Sequence, residues 1–218
     1  MPAAIVTHTF KIAGTNGTSP AVDTTGSTLL IITVGSNNTT FTISDSQGAA
    51  SNTYTAIGST LTANGVSNKM FYCLNPVHVG ANHTFSIAGG SFASFFVAAF
   101  SGIIAIDQNN GASYLNQTVI QPGTVTPLFT NELIVTGMVM DGGAPTSVTI
   151  NGGYTITDQQ GAGANGGGAL AYLIQSSIVA TNPTWTQNAA GSGGTHIATF
   201  KSDTSAAGGN SRFFTFFR

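Results

Sequence analysis

The chain has 218 residues, of which 41% are hydrophobic and 6% charged, and its formal net charge is −2 at pH 7. This composition excludes a disordered chain, which combines low hydrophobicity with high net charge, and a nucleic-acid-binding protein, since five Lys and Arg residues cannot form a phosphate-contacting patch. An average soluble domain is about 25% charged, so the neutral Thr, Ser, Asn and Gly surface predicted here favours a protein that packs against copies of itself.

Neither an export signal nor a membrane span is predicted. Residues 1–5 lack the basic and apolar regions of a signal peptide, and no apolar run approaches the roughly 20 residues of a membrane-spanning helix. Cys73 is the only cysteine, and its apolar, strand-like surroundings predict a small core side chain rather than a nucleophile. A β-protein without disulfides or an export signal is typical of a virion component that assembles in the host cytoplasm.

Short strands separated by turns are predicted along the chain, whereas helical signals are nearly absent. Thr and Gly recur throughout, and Glu132 is the only glutamate. Continuous apolar runs at residues 29–34, 95–100 and 133–135 predict central strands that are covered on both faces. The other predicted strands, in chain order, lie at residues 5–12, 41–44, 84–87, 113–119, 154–157 and 197–200. This series predicts an all-β antiparallel fold, a sandwich or a barrel.

An internal repeat relates the two halves of the chain. Aromatic residues recur at an offset of 100 positions: Tyr54 and Tyr154, Tyr72 and Tyr172, Phe85 and Trp185, and Phe100 and Phe200. Apolar residues upstream recur at an offset of 104: Leu29 and Leu133, Ile31 and Val135, and Val34 and Met138. The predicted copies span about residues 27–102 and 131–202, joined by a bridge at residues 103–130. Because a unit of roughly 75 residues barely closes its own core, we expect one sandwich at residues 1–202 with a pseudo-twofold axis.

The C-terminal segment, residues 203–218, is predicted to be a Gly/Ser/Ala hinge followed by an aromatic stretch. One interpretation is a last strand that completes a sheet, because exposed apolar patches are rare in monomers. The other is a strand donated to a neighbouring subunit, or a docking tail. Its candidate assembly residues are Arg212, Phe213, Phe214, Phe216, Phe217 and Arg218.

Several short motifs of the first copy resemble β-sandwich modules of tailed-phage virion proteins and of large bacterial surface proteins. They are Thr28-Leu29-Leu30, Ile43-Ser44-Asp45-Ser46-Gln47-Gly48, Asn52-Thr53-Tyr54, Phe71-Tyr72-Cys73-Leu74-Asn75-Pro76, His83-Thr84-Phe85 and Ala99-Phe100-Ser101-Gly102. The resemblance covers the first half of the chain well and the second half weakly. It implies a jelly-roll-like or Ig-like sandwich used for assembly or attachment, and it carries over no catalytic residue.

Motifs of cofactor, metal and catalytic sites are incomplete. Residues 161–166 match G-x-G-x-x-G, but a predicted strand follows and no acid lies about 20 residues on, which excludes a dinucleotide site. Residues 107–111 miss the spacing of a calcium loop and are interpreted as a turn. The four histidines lack metal-ligand spacing, and no G-x-S-x-G pentapeptide is present. We therefore predict no cofactor, no metal and no enzymatic activity.

Carbohydrate binding is the alternative function. A sugar site in a β-sandwich would place an exposed aromatic side chain beside loop carboxamides. Tyr114 has no counterpart in the repeat and is therefore the candidate glycan platform. Trp185 aligns with Phe85 and alternates with threonines, which predicts a core position instead.

Taken together, these features predict a non-enzymatic structural protein that self-assembles or docks in a larger particle. A phage or virus virion is the expected particle, with the chain as a shell, decoration or fibre subunit. The expected partners are copies of itself and other virion or surface-assembly proteins, and neither nucleic acid nor membrane. In the alternative role, an adhesin or receptor-binding module, the partner is a glycan and the location is a bacterial cell surface.

Overall fold

The structure is a computed structural model that describes residues 1–46, 52–141, 145–163 and 166–203. It confirms the predicted all-β sandwich, in which the paired strands run antiparallel. Within these ranges no residue is helical, and hence none belongs to a helix suited to cross a membrane. The strands are β1 (Ala4–Gly14), β2 (Gly17–Thr18), β3 (Leu29–Ser36), β4 (Thr42–Asp45), β5 (Thr55–Ala63), β6 (Val66–Leu74), β7 (Phe85–Ala88), β8 (Ala93–Ser101), β9 (Ile103–Ile120), β10 (Glu132–Met140), β11 (Val148–Ile150), β12 (Thr155–Gly163), β13 (Gly166–Gln175) and β14 (Trp185–Ser202).

The strands form two large sheets and one small sheet, which stack as layers. Sheet I has the order β1-β8-β3-β6-β5, and sheet III has the order β2-β7-β4. Sheet II has the order β9-β14-β10-β13-β12, with β11 paired to the first residues of β14. Sheets I and II face each other across a central core. Sheet III covers the outer face of sheet I, and β11 with the neighbouring ends of β9 and β14 covers the outer face of sheet II.

The predicted central strands are confirmed. Every residue of β3 and of β10 is buried, and β8 is buried except at Ser101. Successive side chains of a strand point to opposite faces, so Leu29 and Ile31 enter the central core while Leu30 and Ile32 enter the core under sheet III. A continuous apolar run suits a strand covered on both faces, since each buried Leu or Ile side chain stabilises the fold by about 1.5–3 kcal/mol.

The two large sheets share one strand order and one register. Reading β8-β3-β6-β5 in sheet I gives the same succession as β14-β10-β13-β12 in sheet II. In the ladders, Tyr72 lies opposite Ile31 and Thr55, and Tyr172 lies opposite Val135 and Thr155. The sequence duplication itself stays a prediction, but five of its residue pairs occupy matched ladder positions: Leu29 and Leu133, Ile31 and Val135, Val34 and Met138, Tyr72 and Tyr172, and Phe100 and Phe200.

Contacts across the central core are reciprocal between the sheets. Phe100 of sheet I meets Tyr172 of sheet II edge to face at 5.5 Å between ring centroids, and Tyr72 meets Phe200 in the same way at 6.0 Å. Between β3 and β10, a Cβ at Gly35 would lie 2.8 Å from a methyl of Val139, and a Cβ at Gly137 would lie 2.7 Å from the Thr33 hydroxyl. These two glycines let the central strands approach closely. Reciprocal contacts of this kind are characteristic of an isologous, twofold-like interface.

The predicted bridge differs from the structure. A strand was expected only at residues 113–119, with a turn at residues 107–111, but β9 runs without interruption through both segments. Asp, Asn and Gly favour turns by local propensity. Here the partner strand β14 is itself extended over 18 residues, and pairing along it overrides that propensity.

Candidate functional site

The predicted glycan platform is wrong, because Tyr114 is a buried side chain with 4% exposure. Its hydroxyl donates a hydrogen bond to the carbonyl oxygen of Val139 at 2.6 Å, and burial raises the pKa of that hydroxyl. Tyr114 lies on β9 facing the core under β11, where apolar surface and one backbone acceptor suit a tyrosine. Tyr114 has no counterpart in the predicted repeat, but the lack of a counterpart does not determine whether a side chain is exposed.

The other candidate residues divide into core positions and positions outside the described ranges. Trp185 is fully buried as predicted, and its indole N–H donates to the Thr136 hydroxyl at 3.1 Å. Cys73 is buried, and burial raises the pKa of its thiol to about 11, which suits the predicted core role. The predicted assembly residues lie outside the residues that the structure describes: Arg212, Phe213, Phe214, Phe216, Phe217 and Arg218.

A polar cluster is buried where sheet III meets sheet I. The Asp45 side chain is fully buried and accepts hydrogen bonds from the Tyr54 hydroxyl at 2.6 Å and from the Asn52 amide at 3.0 Å. His83 stacks on Phe85, and its Nε2 lies 3.4 Å from the Asp45 carboxylate. At its other nitrogen, His83 contacts the buried Thr24 hydroxyl at 2.8 Å. The cluster joins an N-terminal loop, β4 and the start of β7, and its burial gives it a structural role.

Two seams separate sheets I and II along their edges. At the first seam, between β1 and β12, His8 Nδ1 lies 2.9 Å from the Asp158 carboxylate. Burial raises the pKa of Asp158, and the contact with His8 partly offsets this effect. A cavity of about 380 Å³ adjoins this pair and is lined by both strands and by Tyr172. No sequence signal links His8 with Asp158, which lie 150 residues apart.

At the second seam, between β5 and β9, His196 is almost fully buried. Its Nε2 lies 3.0 Å from the Ser59 carbonyl oxygen, and its Nδ1 faces the Asn68 carboxamide. Burial lowers the pKa of His196, so the neutral imidazole donates from Nε2 and accepts at Nδ1. We therefore assign the side-chain NH2 group of Asn68, rather than its carbonyl oxygen, to face Nδ1 of His196. This orientation also gives a partner to the otherwise unpaired Nδ2 of Asn68.

Glu132 begins β10 as a buried carboxyl group. Its Oε1 accepts a hydrogen bond from the Phe129 N–H at 3.1 Å, whereas its Oε2 has no hydrogen-bond partner within the described ranges. Burial, with a smaller contribution from the negative charge of Asp107, raises the pKa of Glu132 from its ordinary value of 4.5 to about 6. A carboxylate is therefore a costly group at this position.

Replacing Glu132 by glutamine is expected to stabilise the protein at neutral pH. The folded-state pKa is raised, so the native protein must ionise a buried acid above pH 6, whereas both folded and unfolded chains are protonated well below pH 4.5. The Gln variant should be more stable by up to about 2 kcal/mol at pH 7–8, a gain that disappears as the pH falls through the window from 6 to 4.5. Urea unfolding at several pH values measures this; a gain that does not depend on pH would contradict it.

The edges of sheets I and II carry few charges. The four edge strands, β1, β5, β9 and β12, together contain three charged residues, which are Lys11, Asp107 and Asp158. The Asp107 carboxylate accepts a hydrogen bond from the Leu128 N–H. Residues 108–131 contain no charged residue at all. Within this stretch β9 exposes two large apolar side chains, Leu115 at 63% and Val119 at 57%. Sheet edges are ordinarily protected by charged residues or proline, and this part of β9 has neither.

No group of three or more His, Cys, Asp or Glu side chains is placed to hold a metal ion in the part of the chain that the structure describes.

Comparison with known proteins finds no matching family model, no similar curated protein and no similar solved structure.

Proposed function

We propose that this chain is a non-enzymatic structural protein that assembles with copies of itself in a larger particle, of which a virion is the first choice. The observation that carries the proposal is the unprotected edge of β9. Over residues 113–119 its outer edge pairs with no strand of the described residues, exposes two large apolar side chains and carries no charge. An edge of this kind is a template for pairing with another chain.

Two further properties support assembly. The surface is built mainly from short neutral side chains, so contact between copies requires little desolvation of charge. The body is a layered β-structure whose central strands are wholly buried, so the edges are held in place by a rigid scaffold. In the proposed particle the partners are copies of this chain and other assembly proteins.

The test is the molar mass of the full-length protein by light scattering across a range of concentrations. We expect defined oligomers or particles from the unaltered chain, and monomers from the double variant Leu115→Lys, Val119→Lys, because lysine on an edge opposes pairing. Val77→Lys is the matched control, since Val77 is 73% exposed but lies outside the β9 edge. A chain truncated after Asp203 separates the contribution of residues 204–218. Monomers of the unaltered protein at all concentrations would rule out the proposal.

A further inference from the structure

A bulge in β5 opens a pocket at the second seam. The β5–β6 ladder skips from Ile57 to Leu61, and Gly58 in the skipped segment has a φ of +65°, a conformation that favours glycine. The pocket encloses about 220 Å³ between the bulge and β9. This volume is smaller than a site for a drug-sized ligand, which occupies about 300–1,000 Å³.

The walls of the pocket combine neutral polar groups with a small apolar surface. The Asn109 carboxamide and the Ser59 hydroxyl are exposed and make no hydrogen bond with any described residue. The apolar surface is the Leu61 side chain. The ring of His196 lies behind it, 1% exposed, and its two nitrogens are occupied by Ser59 and Asn68. Among the described residues, no Lys, Arg, Asp or Glu lines the pocket. Unoccupied neutral donors and acceptors beside an apolar wall suit a ligand that carries hydroxyls and C–H groups but no charge.

Glycine keeps the pocket open at its floor. A Cβ at Gly111 would lie 3.0 Å from both the His196 ring and the Leu61 side chain. At the other seam, the ladder position that matches Gly111 against His196 is Phe10 against Phe96, where the two rings stack at 5.8 Å. At this matched position the first seam is therefore filled by two stacked rings, whereas the second seam has space beside a glycine.

We propose that this pocket binds a neutral, hydroxyl-rich small ligand, a single saccharide unit by size and chemistry. Asn109 and Ser59 hydrogen-bond the hydroxyls, and the Leu61 side chain contacts the C–H face of the sugar. The site distinguishes one sugar from another by these directional hydrogen bonds. A sugar that leaves a polar group of the site unpaired is rejected. This site is independent of the proposed assembly, because it uses residues of the β5 bulge and not Leu115 or Val119.

The experiment is an NMR titration of the isotope-labelled full chain with glucose, galactose, mannose and N-acetylglucosamine, each taken into the tens of millimolar. We expect saturable shifts of the Gly58, Ser59 and Gly111 amides with at least one of these sugars. Asn109→Ala should weaken that binding by about tenfold, since it removes a hydrogen bond to the ligand, and should leave the rest of the spectrum unchanged.

Gln117→Ala is the control, because Gln117 is an exposed carboxamide on the same strand outside the pocket, and its side chain makes no hydrogen bond with a described residue. The Gln117→Ala variant should bind the sugar with the same affinity as the unaltered chain. Gly111→Ala should abolish binding by filling the floor, and its spectrum reports whether the fold is kept. Shifts that map elsewhere, an Asn109→Ala variant that binds normally, or no response to any of the four sugars would each overturn the proposal.

Discussion

Replacing Asp45 by alanine is expected to lower the free energy of unfolding by about 3–5 kcal/mol. The carboxylate is fully buried and is the acceptor for the Tyr54 hydroxyl and the Asn52 amide. Truncation removes the acceptor of the Tyr54 hydroxyl and one of the two acceptors of the Asn52 amide, which still donates to the His78 carbonyl oxygen. It also removes the carboxylate that lies 3.4 Å from the His83 nitrogen. Unpaired buried polar groups cost about 1–3 kcal/mol each, so the losses combine.

Two milder variants locate the source of this loss. Tyr54→Phe removes one hydrogen bond to a charged group and should cost about 1.5–3 kcal/mol. Asp45→Asn keeps an acceptor oxygen for Tyr54 and should fall between the unaltered chain and Asp45→Ala. Urea unfolding followed by tryptophan fluorescence measures all three, since Trp185 is buried in the other half of the fold. If Asp45→Ala were as stable as the unaltered chain, the cluster would have no structural role.

Replacing Phe200 by alanine is expected to cost about 3–5 kcal/mol, the range for a fully buried aromatic side chain. Phe200 lies in the central core and meets Tyr72 across the two sheets. The reciprocal change, Phe100→Ala, removes the matching contact with Tyr172, and Phe100 is equally buried. We therefore expect the two variants to lose similar stability, within about 1 kcal/mol of each other.

Calorimetric or denaturant unfolding of both variants tests this equivalence. Val77→Ala serves as the control because Val77 is exposed, and its effect should stay within about 0.5 kcal/mol. A small loss for one aromatic and a large loss for the other would show that one side of the central core tolerates a cavity and the other does not. That result would contradict the twofold-like packing.

Central strands were predictable because their signal is local. A continuous apolar run, as in β3, β8 and β10, is best explained by a strand that is covered on both faces. The matched aromatic residues also indicated which strands correspond, since Phe100 and Phe200 occupy the same ladder positions opposite Leu29 and Leu133.

The seams and the bridge were not predictable, because their causes are not local. Asn68 and His196 are 128 residues apart, and no spacing rule joins them. The turn predicted at residues 107–111 failed because the pairing of β9 depends on β14, which lies far along the chain. The prediction that Tyr114 is exposed was wrong for a related reason. The exposure of this side chain depends on the strand that covers it. The Asn, Ser and Gly residues around it in the sequence indicate only a polar neighbourhood.

One residue, Gly102, separates β8 of sheet I from β9 of sheet II. Its φ is +71°, and a Cβ there would lie 2.2 Å from the Pro2 carbonyl oxygen, so the passage between the sheets is fixed to glycine. The contacts of the central core would be equally good if sheet II came from a second chain, as in domain swapping. What favours the closed molecule is the very high effective concentration that a one-residue tether gives sheet II next to sheet I. The one-residue glycine connection therefore favours pairing of the two sheets within one chain over their exchange between chains.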